Sequence, residues 1–338
     1  MVCILLSLAN GQERSTWHIV KKLPTKPQKA FYVDRDPNSP EPESILSAPV
    51  LNAVFFTDDS NGWVVGDGGI LVHTSNGGQT WTAKVIDLPA NLHSVFFNNA
   101  HAGWVVGDYK RTGVILRTRD GGTNWYKQYQ LEGFELSALN DIWFADEQHG
   151  WAVGEAQQNG TSQGIVFATQ DGGAHWRLQY LSRGSSSGLR SVKFADAYHG
   201  WVVGDSLILH TENGGQQWSE QLAEPDKYFF GIDFINSFEG WVVGSRGLLL
   251  HTTNRGKKWE RRLLPSEQQT LWLASVKFVS STRGWIAGND GTILSTNDGG
   301  MTWKLESTGM TEFLRGLALT HSNLFAVGNS GIVLRRQL

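Results

Sequence analysis

The sequence carries one cysteine, Cys3, in 338 residues. No intrachain disulfide, cysteine zinc finger or CxxC redox pair can form, so the fold must be held by packing. Charged residues make up only 18% of the chain and the formal net charge is −3. That balance offers neither a basic field for nucleic acid nor an acidic tail, and no nucleic-acid partner is expected. Apolar runs are short. The longest candidate, VCILLSLA from Val2 to Ala9, is too short to cross a bilayer. It resembles the end of a secretion signal without a basic leading region, so residues 1–14 are read as a truncated signal peptide or an N-terminal tail. Helical periodicity is missing throughout. So are GxxxxGK[ST], GxSxG and HExxH, which leaves no signature of nucleotide binding, a serine-hydrolase elbow or a zinc protease. No cofactor and no metal are expected.

Glycine and tryptophan are plentiful, at 39 and 15 residues. Many short strands joined by tight turns around large aromatic side chains would need that combination. The dipeptides Gly62-Trp63, Gly103-Trp104, Gly150-Trp151, Gly200-Trp201, Gly240-Trp241 and Gly284-Trp285 recur every 40 to 50 residues, the period of propeller blades. About ten residues before each lies an apolar run, LNAVFF from Leu51 or LRSVKF from Leu189 for example. Period-two alternation within these runs marks an innermost strand. A second strand starts at each Gly-Trp, a third follows a turn, and a fourth completes the unit.

The turn between the third and fourth strands carries [ST]-x-[DN]-x-G-x-x-W six times. Its polar and aromatic members are Asn76 and Trp81, Asp120 and Trp125, Asp171 and Trp176, Asn213 and Trp218, Asn254 and Trp259, and Asp298 and Trp303. Each Asn or Asp can accept hydrogen bonds from amides of its own turn, and the glycine supplies a positive φ. The Trp is expected to fill the space between strands. Burying one removes roughly 150–250 Å² from water, on the order of 4–6 kcal/mol gross.

A seventh unit, Leu314–Leu319, Leu324–Gly328 and Ile332–Arg335, has three strands before the chain ends. Its fourth is predicted at the other terminus, where Ser15-Thr16-Trp17 precedes His18-Ile19-Val20. The expected architecture is therefore a single all-β domain over 15–338. It is a seven-bladed β-propeller with four-stranded antiparallel blades, in which the N-terminal strand (15–22) completes the last blade and hides its sheet edges. Trp17 should sit as Trp81 does. Residues 24–49 hold six of the nine prolines and read as an irregular strap, and 50–338 carry the repeats.

The GWVVG strand, the TxDGGxxW turn and closure by an N-terminal strand together resemble the Ycf48/Hcf136-like family over nearly the whole chain. The resemblance implies an exported propeller, lumenal or periplasmic, that binds a photosystem II reaction-centre precursor as an assembly and stability factor. The regularity of the units points to a general bacterial relative. Because the same Asp-box or BNR turn occurs in sialidases, xyloglucan hydrolases and sortilin-type receptors, a carbohydrate-binding or glycoside-hydrolase reading stays open beside it.

Four acidic residues follow the second-strand glycine in successive blades, Asp67, Asp108, Glu155 and Asp205, replaced later by Ser245, Asn289 and Asn329. These turns share one face. They are either ordinary turn chemistry or an acidic rim for a cation or a basic partner segment. Arg255, Lys257, Lys258, Arg261 and Arg262 form a basic cluster in an Asp-box turn, either solvated or partner-binding. Of the tryptophans outside repeat positions, Trp143 is placed in an inner strand and Trp272 is the candidate exposed recognition residue. The histidines repeat at equivalent positions a blade apart, which argues against a shared metal. The expected function is a non-enzymatic, monomeric scaffold or assembly factor. Its partner would be a protein, a membrane-protein complex included; the chain is exported rather than transmembrane, with a cytoplasmic location left open.

Overall fold

In the first repeat Leu51–Phe56 runs antiparallel to Gly62–Gly66, which pairs with Ile70–Thr74 and then Thr82–Lys84. The same order recurs around the molecule and makes it a β-propeller. The computed structural model describes residues 16–23, 49–84, 86, 88–128, 135–158, 160–182 and 188–338. The signal-like segment and nearly all of the Pro-rich strap lie outside the described residues.

Strand pairing yields six sheets rather than seven, five of four strands and one of six. The six-stranded sheet contains two repeats. Its long strand Ser219–Phe234 pairs through Ser219–Ala223 with Leu207–His210 of one unit, and through Phe229–Phe234 with Gly240–Gly244 of the next. The strand runs on from the outer edge of one unit into the inner strand of the next, with residues 224–227 outside the ladder between the two stretches.

What locks one blade to the next is an aromatic interlock legible in the motif spacing only afterwards. The Gly-Trp tryptophan of one blade lies flat on the phenylalanine that ends the next blade's inner strand: Trp63 on Phe97, Trp104 on Phe144, Trp151 on Phe194, Trp201 on Phe234 and Trp241 on Phe278, with centroids 3.4–3.9 Å apart. The Asp-box Trp meets that phenylalanine edge-on near 6 Å, as in Phe97–Trp125 and Phe278–Trp303. Glycine precedes each buried Trp for a steric reason. A Cβ on Gly62, Gly103, Gly150, Gly200, Gly240 or Gly284 would stand 2.3–2.6 Å from a ring carbon of its own blade's phenylalanine. All six Gly-Trp tryptophans are fully buried. Among the Asp-box six, Trp81 and Trp303 are buried and the other four only half-buried.

The Asp-box turn works through its threonine as well as its Asn or Asp. Thr118 Oγ1 donates to Asp120 and accepts from the amides of Asp120 and Gly122, while Asp120 Oδ1 accepts from the Asn124 amide. The pattern repeats at Thr74, Thr169, Thr211, Thr252 and Thr296. Asp120, Asp171 and Asp298 are each held to about 2; the amide and side-chain donors of the turn outweigh what little desolvation these exposed groups feel.

Closure follows the predicted route. His18–Lys22 pairs antiparallel with Ile332–Gln337 as the outer strand of the last blade. Trp17 is buried, and its indole N–H donates to Glu306 Oε2 at 2.8 Å. Glu306 stands three residues after Trp303, as Gln128 stands after Trp125 and Gln221 after Trp218. Those glutamines accept from the next blade's Trp176 and Trp259, so Trp17 occupies an Asp-box position. Arg336 adds an ion pair to Glu306.

Replacing Trp17 by Ala should cost about 3–5 kcal/mol, the usual loss for a buried aromatic, against roughly 0.5 kcal/mol or less for exposed Ile19→Ala. Urea unfolding of the two variants measures this. Equal losses would show that the terminal strand is not held by its tryptophan.

Candidate functional site

The inner strands surround a central channel of about 600 Å³. Each carries a bulge near its start, between Leu51 and Ala53 or Leu189 and Ser191 for example. The bulge breaks the period-two alternation expected from sequence and turns two successive positions toward the lumen.

The register opposite the Gly-Trp tryptophans holds Phe55, Phe96, Trp143, Lys193, Asp233, Lys277 and, opposite Phe325, Ala318. Aromatic residues occupy one arc of this ring and charges the other. Phe55, Phe96 and Trp143 contact in sequence at 5.1 and 4.9 Å. Lys193 Nζ lies 3.0 Å from Asp233 and 3.9 Å from the centre of the Trp143 ring, a cation–π contact strengthened by exclusion of water. Burial depresses the Lys193 ammonium while Asp233 pulls it back. Asp233 is opposed by burial as well, yet Lys193 and Lys277 hold its carboxyl below the usual range.

One step along the channel, Ala53, Ser94, Asp141, Ser191, Gly231, Ser275 and Gly316 share a register. Asp141 accepts from Ser94 Oγ at 2.7 Å, Ser191 Oγ at 2.9 Å and the Val192 amide at 3.0 Å. Burial pushes its carboxyl above the usual carboxylate range despite those donors and Lys277. Sequence reasoning missed Asp141, Lys193, Asp233 and Lys277. The available signal was a break in the repeat: charged residues where other blades place Phe, Ala or Ser.

At the mouth, the predicted rim residues do line one face, where their turns lie, and most are tied to the inner strands. Asp67 accepts from Asn52 at 2.7 Å, Asp108 faces His93 Nε2 at 3.2 Å and Asp205 is bridged by Arg190 Nε at 2.7 Å. Glu155 accepts from Ser162. Asn289 accepts from the Trp272 amide and Asn329 from Arg315 Nε. The rim is thus a mixed belt rather than an acidic one. Trp272 joins it: 48% exposed, it stacks on Phe230 at 5.4 Å, and Phe230 carries Tyr228 on one side and the Arg190 guanidinium at 5.4 Å. Arg315 lies over Phe313 at 5.0 Å.

The basic cluster belongs elsewhere. Strands alternate direction, so the Asp-box turns lie at the opposite end of each blade from the rim turns. Arg255 stacks on exposed Phe238 at 4.1 Å, Lys258 and Arg262 share Glu260, and Lys257 and Arg261 are exposed. Its two half-exposed arginines are therefore partly engaged. Among the described residues no group of three metal-ligating side chains comes together, and no helix is long and apolar enough to cross a membrane.

A family model described as photosynthesis system II assembly factor YCF48 matches residues 43–133, 126–224, 184–271 and 220–316, overlapping stretches that together run over most of the chain. The chain belongs to the Ycf48 family. A curated member, the photosystem II assembly lipoprotein Ycf48 of Synechococcus sp. (strain CC9902), is 26% identical over 128 residues. That match covers 36% of this chain and 34% of the relative, so the chain aligns with about a third of that protein's length. YCF48 from Cyanidioschyzon merolae superposes with a TM-score of 0.69 at 19% identity, covering 96% of this chain and 99% of that one. YCF48 bound to D1 peptide gives 0.68 at 22% identity, over 86% and 93%. A catalytically inactive virginiamycin B lyase from Staphylococcus aureus with quinupristin gives 0.70 at 12% identity, over 86% and 96%. The Ycf48 fold is thus shared with an enzyme, and likeness at these identities speaks for architecture alone.

Asp141 makes stability depend on pH in a fixed direction. Its carboxyl titrates above the unfolded value of about 3.9, so its contribution to stability is complete below that pH and declines as pH rises through the folded value. Urea unfolding of the wild type and Asp141→Asn between pH 4 and 8 should show the wild type losing stability relative to the variant with rising pH. A constant difference would contradict the assignment.

Proposed function

We propose that this chain is a non-enzymatic assembly scaffold that is exported, works as a monomer and holds a segment of a client membrane protein across the mouth of its channel. The observation that carries this reading is the aromatic surface of exposed Trp272 and Tyr228 and half-buried Phe230, with Arg190 and Arg315 at the same mouth. Tryptophan, tyrosine and arginine supply most of the energy in protein interfaces, since they offer large rigid area with a polar handle. Glu135–Phe144 and Gly150–Gln158 pair out to Glu135 and Gln157, farther than Leu51–Phe56 and Gly62–Gly66 do in the first repeat. A relative has been solved with a D1 peptide, and another is named a lipoprotein, which agrees with a client and a location at a membrane. The signal-like Val2–Ala9 segment agrees with export.

A glycosidase would need two carboxylates facing each other over an open cleft, one kept protonated. The rim carboxylates are instead engaged by Asn52, His93, Arg190 and Ser162, and Asp141, the carboxyl that burial raises, is bound by two serines inside the channel. These pairings favour the scaffold.

Fluorescence anisotropy with labelled D1-derived peptides, together with affinity capture from native membranes, tests the reading. Trp272→Ala should weaken peptide binding by about tenfold or more, the range of an interface hot spot, with an unchanged unfolding midpoint. Equal affinity in variant and wild type would remove the mouth as the binding surface.

A further inference from the structure

Not all of the polar groups that line the channel interior are paired with one another. Three serines share the Asp141 register. Ser94 and Ser191 both donate to Asp141, whereas the Ser275 hydroxyl has no hydrogen-bond partner among the described residues, its backbone being paired in the ladder with Ala287. Two positions further on the same strand, Leu273–Phe278, and on the same face, stands Lys277. Its ammonium approaches Asp233 only to 3.9 Å, beyond hydrogen-bond length, and its side chain is 30% exposed. Asp233 is already satisfied by Lys193 at 3.0 Å and by the Phe278 amide at 2.9 Å. The Lys277 ammonium therefore keeps donors for something else.

The other lumen charges leave that donor set effective. Lys193 and Asp233 neutralise each other, and Asp141 resists ionisation because it is buried. At the mouth Asp205 is balanced by Arg190, Asp108 lies 3.2 Å from His93 Nε2, and Asp67 lies near Arg315. Across the lumen from this hydroxyl and ammonium runs the apolar arc of Phe55, Phe96 and Trp143. A lumen of about 600 Å³ lies within the range of small-molecule sites, which are mostly apolar with a few placed polar groups.

The geometry points to a binding site inside the channel for a carboxylate carried on a flat apolar group, its anion taken by Lys277 and Ser275 and its body packed on Phe55, Phe96 and Trp143. Such a ligand can be a free aromatic acid or the terminal residue of a polypeptide. The site does not depend on the scaffold reading, since it uses none of the mouth residues.

Calorimetric titration of the full chain with 3-phenylpropionate is the direct experiment, with 3-phenylpropanol as the neutral counterpart. Saturable one-to-one binding of the acid is expected, with none by the alcohol. Lys277→Met should weaken it by about tenfold or more, and Lys277→Arg should restore it. Ser275→Ala, a change that removes no structural hydrogen bond, should weaken it as well and serves if Lys277→Met fails to fold. A hexapeptide ending in Phe, with free or amidated terminus, separates the sources: binding of the free terminus alone, without the small acid, assigns the site to a chain end. Equal binding of acid and alcohol, wild-type affinity in both variants, or no binding of either acid or free-terminus peptide would each overturn the site.

Discussion

A flat stack of tryptophan on phenylalanine, repeated from blade to blade, is the contact on which this molecule depends. Each stack needs three residues from two blades: the Gly-Trp tryptophan of one, the inner-strand phenylalanine of the next, and the glycine over which that phenylalanine lies. Stacked aromatic pairs contribute on the order of 0.5–1.5 kcal/mol beyond their area, and the Asp-box Trp closes the third side edge-on. Because the first six units each supply a Gly-Trp tryptophan and an inner-strand phenylalanine, the array must close on itself or leave an apolar face in water.

Closure is where the repeat departs from itself. Phe325 replaces tryptophan in the last unit and stacks on Phe56 at 4.3 Å. Leu319 takes the phenylalanine position and packs with Trp285 and Trp17. The glutamine acceptor used elsewhere becomes Glu306, which binds both Trp17 and Arg336. A charge-assisted pair at this seam is stronger than the neutral bonds at the other blade junctions, and it sits where the two ends of the chain have to be joined.

With the blade interfaces so constrained, the lumen positions are released from structural duty. The side chain opposite each buried Trp lies at the channel wall, where it meets its counterparts on neighbouring blades, and Phe, Trp, Lys, Asp and Ala all occupy the position. The same scaffold therefore accommodates an aromatic arc, a buried ion pair and a mouth of mixed charge. Buried ion pairs add little to stability against apolar replacements, so the cluster around Asp233 adds little to what the aromatic stacks already supply.

Periodic spacing of Gly-Trp and of the Asp-box was enough to read the propeller, the strand order within a unit and the return of Trp17 to the last blade, because those contacts are local or repeat at a constant interval. Six continuous sheets instead of seven, the inner-strand bulges and the half-exposure of four Asp-box tryptophans were hidden, since they depend on how neighbouring blades meet. For the site the division is similar. Trp272 stood out because it broke the pattern, and the rim residues because they repeated. That Asp205 is neutralised by Arg190, that Arg255 to Arg262 lie on the other face, and that Asp141, Lys193, Asp233 and Lys277 converge was decided only by the three-dimensional closure of the ring. It brings residues some forty or more apart in the chain into one lumen, and no local pattern records which inner-strand side chains will face each other across it.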